Sequence, residues 1–84
     1  MHITLYMRPN CTLCEEARQL LHIIQHDVPF TLDEVNIEEH DALHEQWMLL
    51  IPAVVHEGQV LQHSSIDYIT IEGALQVIST KLRQ

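Results

Sequence analysis

Two cysteines separated by two residues, Cys11 and Cys14, stand between a segment with the pattern of a strand and one with the pattern of a helix. Apolar residues alternate over positions 3–7, and residues 8–10 then interrupt the strand. Beyond Cys11 the apolar positions recur every 3.6 residues, at Leu13, Ala17, Leu20, Leu21 and Ile24. A two-residue spacing closes too short a loop to hold a fold together. The pair therefore indicates redox or metal chemistry.

The patterns along the chain predict an α/β fold with the element order βαβαββα. After the first strand and helix, the predicted elements are a strand over 30–36, a helix over 38–48, strands over 53–56 and 59–62, and a helix over 71–82. Glu57-Gly58 predicts the turn of a hairpin, Thr70 is the predicted cap of the last helix, and residues 63–69 fit either a strand extension or a turn. Adjacent β, α and β elements favour parallel pairing, so we expect a mixed four-stranded sheet flanked by helices.

Length and charge limit the possible functions. The 84 residues fit one domain, residues 1–84. The formal net charge of −8 repels phosphate backbones and anionic lipids, so we expect no nucleic-acid or membrane partner. The N-terminal residues lack the basic and apolar segments of a signal peptide. We therefore expect a cytoplasmic monomer.

The position of the two cysteines suggests a division of roles. Cys11 is placed at a helix N-terminus, where unpaired backbone N–H groups and the helix dipole stabilise a thiolate. Arg8 adds a positive charge three residues earlier. Cys14 lies one turn further on, at the edge of the apolar stripe, and is predicted to be the less exposed of the two. In this interpretation Cys11 attacks a disulfide and Cys14 then resolves the mixed disulfide.

Two segments resemble a known family. The run LYMRPNCTLCEEA at residues 5–17 resembles the opening of glutaredoxins, most of all the short bacterial glutaredoxin-like proteins. The run IPAVV at residues 51–55, followed by Glu57-Gly58, resembles the proline strand and hairpin of the same family. The resemblance covers nearly the whole chain. It implies a thioredoxin-like three-layer α/β/α sandwich with a cis-proline before the third strand.

The resemblance also implies roles for individual residues. Cys11 would be the nucleophile and Cys14 the resolving thiol of a thiol–disulfide oxidoreductase. Arg8 would contact a glutathione carboxylate, Pro52 would be the cis-proline beside the dithiol, and the backbone of Ile51 would pair with a bound peptide or glutathione. Residues 62–65 replace the family's Gly-Gly element. A protein disulfide and glutathione both stay open as partners, with a thiol as reductant and glutathione as a co-substrate rather than a resident cofactor.

Two other hypotheses about the function stay open. One is a dimer that holds a metal or iron–sulfur cluster through Cys11, and another is an interaction domain without catalysis. The histidine pairs at residues 22/26 and 40/44 have metal-ligand spacing, but the first pair falls on the solvent face, and Cys14 and His22 are about 12 Å apart along one helix. We therefore expect surface histidines and no metal site. Trp47 and Tyr68 are expected to be packing residues.

Overall fold

The computed structural model describes residues 1–82, which form four strands and three α-helices in the predicted order. The elements are β1 (His2–Met7), α1 (Thr12–Gln25), β2 (Thr31–Asn36), a 3₁₀ turn (Ile37–Glu39), α2 (Asp41–Trp47), β3 (Ala53–His56), β4 (Gln59–His63) and α3 (Tyr68–Leu82). Within this described part, no helix has the length and apolar character needed to cross a bilayer.

The four strands form one mixed sheet in the order β2-β1-β3-β4. β1 runs parallel to β2, as expected for strands joined by a crossover helix. β3 pairs antiparallel with both β1 and β4, and β3 and β4 form the predicted hairpin. The predicted mixed sheet is therefore confirmed.

Two apolar clusters lie on opposite faces of this sheet, because successive strand residues point to opposite sides. On one face, α1 and α3 cover strand residues. The buried members there are Ile3, Leu5, Ala17, Leu21, Ile24, Val28, Val54, Ile71 and Leu75. On the other face, α2 covers a smaller cluster of Ile37, Trp47, Ala53 and Val55. The helices and sheet thus form the predicted three-layer α/β/α sandwich.

The helix predicted over residues 38–48 is wrong as one continuous element. Asn36 Oδ1 accepts a hydrogen bond from the backbone N–H of Glu38 at 2.9 Å and begins a separate 3₁₀ turn. His40 then adopts an extended conformation, with φ −141° and ψ 131°, which breaks the helical path. The His40 carbonyl accepts the first hydrogen bond of α2 from His44 N–H. Only the second half of the predicted segment is α-helix.

The start of α3 also differs from the prediction. The helix begins at Tyr68, and Thr70 is not its cap. Instead Thr70 donates to Asp67, from its backbone N–H to Oδ1 at 2.8 Å and from its hydroxyl to Oδ2 at 3.0 Å. Gln62 holds Asp67 from the other side through two further hydrogen bonds, at 2.7 and 2.9 Å. The segment 63–69 is thus the end of β4, a short turn and the first residues of α3.

Candidate active site

The chain turns sharply from β1 into α1 at the first cysteine. Asn10 has φ 59°, a left-handed conformation that Asn tolerates better than most residues. Cys11 is the N-cap of α1, and its Sγ accepts a hydrogen bond from the backbone N–H of Cys14 at 3.2 Å. The Cys11 carbonyl accepts the first helical hydrogen bond, from Glu15 N–H. The sulfur of Cys11 therefore occupies the place where a helix presents its unpaired N–H groups.

The two cysteines are joined by a disulfide bond, with their Cα atoms 5.2 Å apart. Cys14, in the first turn of α1, is 2% exposed, whereas Cys11 is partly exposed. The predicted difference in exposure is confirmed. A second molecule can therefore reach Cys11 more readily than Cys14.

An open depression of about 520 Å³ surrounds the disulfide. Its lining comes from the β1–α1 loop and the first turn of α1: Met7, Arg8, Pro9, Asn10, Cys11, Thr12, Cys14 and Glu15. Arg8 is exposed at this depression and takes part in no ion pair within residues 1–82. Its guanidinium is therefore available to an anion at the site.

The segment of Ile51 and Pro52 reaches the same end of the sheet. Tyr6 pairs with Ala53, so the residues before β3 lie next to the end of β1. The Ile51–Pro52 peptide bond is cis, Pro52 is buried and Ile51 is half-buried. The Pro52 carbonyl accepts a hydrogen bond from Ser64 N–H at 2.8 Å, which ties this segment to the residues that follow β4.

An ion pair on the surface of α1 neutralises one of the carboxylates near the disulfide. Arg18 donates to Glu15 from Nε at 3.0 Å and from Nη2 at 2.5 Å. These bonds hold the pKa of Glu15 below its usual value and raise the pKa of Arg18. Both groups are therefore charged at neutral pH. The pair leaves Glu16, also exposed, without this neutralisation.

Two residues that the sequence assigned to packing are exposed. Leu13 is 50% exposed, because Cys14 takes the core position at the start of α1. Tyr68 is 43% exposed at the start of α3, whereas Trp47 is buried, as expected of a packing residue, and stacks on Tyr6 with ring centroids 4.2 Å apart. The sequence reasoning also missed Asp67 as a cap. The sequence does contain a signal for this cap. Asp is a preferred N-cap residue, and the backbone N–H that its side chain accepts from belongs to Thr70, three residues later.

The histidines do not assemble into a metal site in the described part of the chain. His22, His26, His40 and His44 are all exposed. Within residues 1–82, no three His, Cys, Asp or Glu side chains come close enough together to hold a metal ion. His22 instead makes a hydrogen bond with Gln25 on the outer face of α1.

Solved structures share this fold. Protein XcR50 from X. campestris, a Northeast Structural Genomics target, superposes with a TM-score of 0.77 at 25% identity, covering 89% of this chain and 96% of that one. A mutant thioredoxin from Halobacterium salinarum gives a TM-score of 0.68 at 10% identity, with coverages of 93% and 74%. Thioredoxin 1 from the thermophilic eubacterium Thermosipho africanus gives 0.61 at 14% identity, with coverages of 99% and 96%. The two thioredoxins show the fold alone.

Sequence comparison places the chain in a family. Among curated proteins, none matches it significantly. The family model for the glutaredoxin-like domain (DUF836) matches residues 2–76, which include β1, the two cysteines, the whole sheet and most of α3. The chain therefore belongs to the glutaredoxin-like domain (DUF836) family.

Proposed function

We propose that this protein is a thiol–disulfide oxidoreductase that reduces protein or glutathione mixed disulfides through Cys11 and Cys14. The observation that carries the proposal is the bonded pair at the start of α1, with one accessible and one buried sulfur. A sulfur held against helix N–H groups is stabilised as thiolate, which is the reactive form. Such a pair acts as a redox site in a reducing compartment such as the cytoplasm.

The chemistry proceeds in two exchanges. The Cys11 thiolate attacks a substrate disulfide, which forms a mixed disulfide and releases one substrate thiol. The Cys14 thiolate then attacks the Cys11 sulfur, which releases the second substrate thiol and leaves the Cys11–Cys14 disulfide. Two electrons pass to the substrate, and an external thiol returns them to the protein. In this proposal Arg8 contacts an anionic group of the substrate, and the backbone at Ile51 and Pro52 pairs with the substrate polypeptide or glutathione next to the substrate disulfide.

Two serine variants separate the roles of the cysteines. Cys11→Ser should lower disulfide reduction to the rate of the buffer alone, because the accessible nucleophile is gone. Cys14→Ser should stop turnover after the first exchange and accumulate a mixed disulfide on Cys11. Mass spectrometry of the alkylated protein detects that adduct directly. Full activity of Cys11→Ser would refute the assignment.

A redox titration tests the dithiol itself. The protein is equilibrated without oxygen in glutathione buffers of graded ratio, and its free thiols are counted by mass after alkylation. We expect one two-electron transition that joins Cys11 to Cys14, with a midpoint between about −180 and −270 mV, the range of known dithiol carriers. If no internal disulfide formed at any ratio, the chain would instead be an interaction domain without redox turnover.

A further inference from the structure

Three loops meet at the end of the sheet where the disulfide lies. Tyr6 pairs with Ala53 and Ala53 pairs with His63, so β1 ends where β3 begins and β4 ends. The hydrogen bond from Ser64 N–H to the Pro52 carbonyl joins two of the loops directly. The residues before β3 and those that lead into α3 therefore lie at the same end of the sheet as the dithiol.

Exposed apolar side chains gather on these segments. Five of the nine large hydrophobic residues that are exposed within residues 1–82 lie there, and we call this group the apolar collar: Leu13, Met48, Leu49, Tyr68 and Ile69. Leu49 and Ile69 are each 83% exposed, and Leu13 stands between the two cysteines. Apolar groups concentrated in this way mark a surface that another molecule covers.

The same end of the molecule is acidic. Five carboxylates stand there: Glu15, Glu16, Asp67, Glu38 and Glu39. The last two follow β2, whose end is beside β1 because Met7 pairs with Asn36. Against them stand Arg8 and Arg18, and Arg18 is already bonded to its carboxylate neighbours on α1 and β2. The carboxylates outnumber the arginines, so this end as a whole attracts a positively charged partner and repels a strongly anionic one, while Arg8 can still pair with a single anionic group.

We infer that the preferred substrate is a polypeptide disulfide flanked by apolar and cationic residues, rather than the small, anionic glutathione disulfide. This inference rests on the proposed function. An extended polypeptide is long enough to reach from Cys11 to the collar residues on the other two loops at this end of the sheet. The exchange is unchanged: the substrate disulfide gains two electrons as Cys11 and Cys14 are oxidised, and a thiol reductant restores them.

The test compares three disulfides reacting with the reduced protein in single turnover. Two synthetic peptides of equal length carry one internal disulfide each, flanked by Leu and Lys in one and by Ser and Glu in the other. Hydroxyethyl disulfide is the small neutral reference. Each rate is divided by the rate of the same disulfide with dithiothreitol, which removes intrinsic differences in reactivity. We expect the Leu/Lys peptide to react at least about tenfold faster than the Ser/Glu peptide at low salt, and the ratio to shrink as salt screens the charges.

The outcomes separate the two proposals. Reaction with the neutral reference but equal rates for the peptides, or a faster Ser/Glu peptide, would overturn the substrate inference and leave the oxidoreductase proposal standing. Absence of reaction with all three disulfides would overturn the oxidoreductase proposal itself. A ratio that did not change with salt would remove the cationic part of the inference.

Variants test the apolar part. Leu49→Ser and Ile69→Ser should each lower the rate with the Leu/Lys peptide about tenfold, the effect of losing burial of most of one large aliphatic side chain. Ile23→Ser is the matched control, because Ile23 is 59% exposed on α1 but lies near the helix end remote from the cysteines. It should leave the rate unchanged. Equal effects of all three variants, or none from Leu49→Ser and Ile69→Ser, would contradict the inference.

Discussion

At the scale of single residues, Asp67 has the largest share of side-chain hydrogen bonds around the start of α3. It accepts from Gln62 and from both the backbone N–H and the hydroxyl of Thr70. The hydrogen bond from Gln62 is the largest cause that holds the pKa of Asp67 below its usual value, followed by those from Thr70. The carboxylate therefore contributes to stability only while it is ionised.

This lowered pKa makes a prediction about acid. Because the folded pKa lies below the unfolded one, the contribution of Asp67 is complete above the unfolded value and is lost as the pH falls through the folded value. Asp67→Asn keeps an oxygen for Thr70 but cannot ionise. We expect the variant to lose less stability than the wild type between pH 7 and pH 3, since the ordinary pKa of Asp is about 4.

Urea denaturation at both pH values measures the difference. Asp27→Asn is the control, since Asp27 is exposed and has no side-chain hydrogen bond among those resolved within residues 1–82. An identical acid response of the wild type and Asp67→Asn would show that these hydrogen bonds do not act on stability.

Residue positions at the ends of elements were the hardest to predict. The sequence analysis predicts Thr70 as the cap of α3, whereas the helix begins after Asp67, which Gln62, five residues earlier, holds through a contact that no local pattern contains. Leu13 has the right periodicity for the core, but the buried stripe of α1 runs through Cys14, Ala17, Leu21 and Ile24, which leaves Leu13 at its edge. Periodicity predicts which face of a helix is apolar and not which residues at its edge are buried.

At the scale of elements, the β3–β4 hairpin was predictable and its turn is suboptimal. Glu57 and Gly58 have φ 47° and 79°, so both occupy the left-handed region that a two-residue turn of this kind requires. Gly reaches this region without cost, whereas a glutamate there is strained. The right-handed twist of β3 and β4 selects this type of turn, because Glu57 on its own disfavours a positive φ.

This strain predicts the effect of two substitutions. Glu57→Asn should raise the free energy of unfolding by about 0.5–1 kcal/mol, since Asn tolerates positive φ better than Glu. Gly58→Ala should lower it by about 1 kcal/mol through backbone strain alone, because no atom lies within 4 Å of an added Cβ. Chemical denaturation measures both. A loss of stability in Glu57→Asn would show that Glu57 makes a favourable interaction that outweighs its conformation.

The long elements and their pairing followed from the sequence, whereas the interruption before α2 did not. Strand alternation and helical periodicity were sufficient for β1, α1, β3 and β4, because each has a buried face with a regular period. Asn36 and His40 broke the other predicted helix through a side-chain hydrogen bond and one extended residue. The candidate site was predictable as a pair of cysteines, but its collar depended on how three loops meet.

At the scale of the whole molecule, charge acts over the full size of the protein. The described residues extend 39 × 22 × 17 Å, and the net charge is −8. At an ionic strength of 0.01 M the Debye length is about 30 Å, so charges across most of the molecule interact and the excess of carboxylates gives net repulsion, whereas at 0.15 M it is about 8 Å. Self-repulsion of this kind destabilises the compact state.

Sodium chloride should therefore stabilise the protein at neutral pH. If screening contributes about 1 kcal/mol, the melting temperature rises by about 4–8 °C between low salt and 0.15 M. The control is the same titration near pH 5, where the net charge approaches zero because the isoelectric point is about 5.1. Scanning calorimetry at both pH values measures the effect. An equal rise in melting temperature at both pH values would show that sodium chloride stabilises the protein by a route other than screening of its net charge.

The stacked rings of Tyr6 and Trp47 give the molecule a built-in optical reporter. Trp47 is the only tryptophan in the chain, and it is buried in the small cluster beneath α2. Its emission therefore reports on one face of the sheet and is silent about the other, where α1 and α3 lie. Fluorescence and circular dichroism followed on one sample would then show whether the two faces of the sheet melt together, without any label attached to the protein.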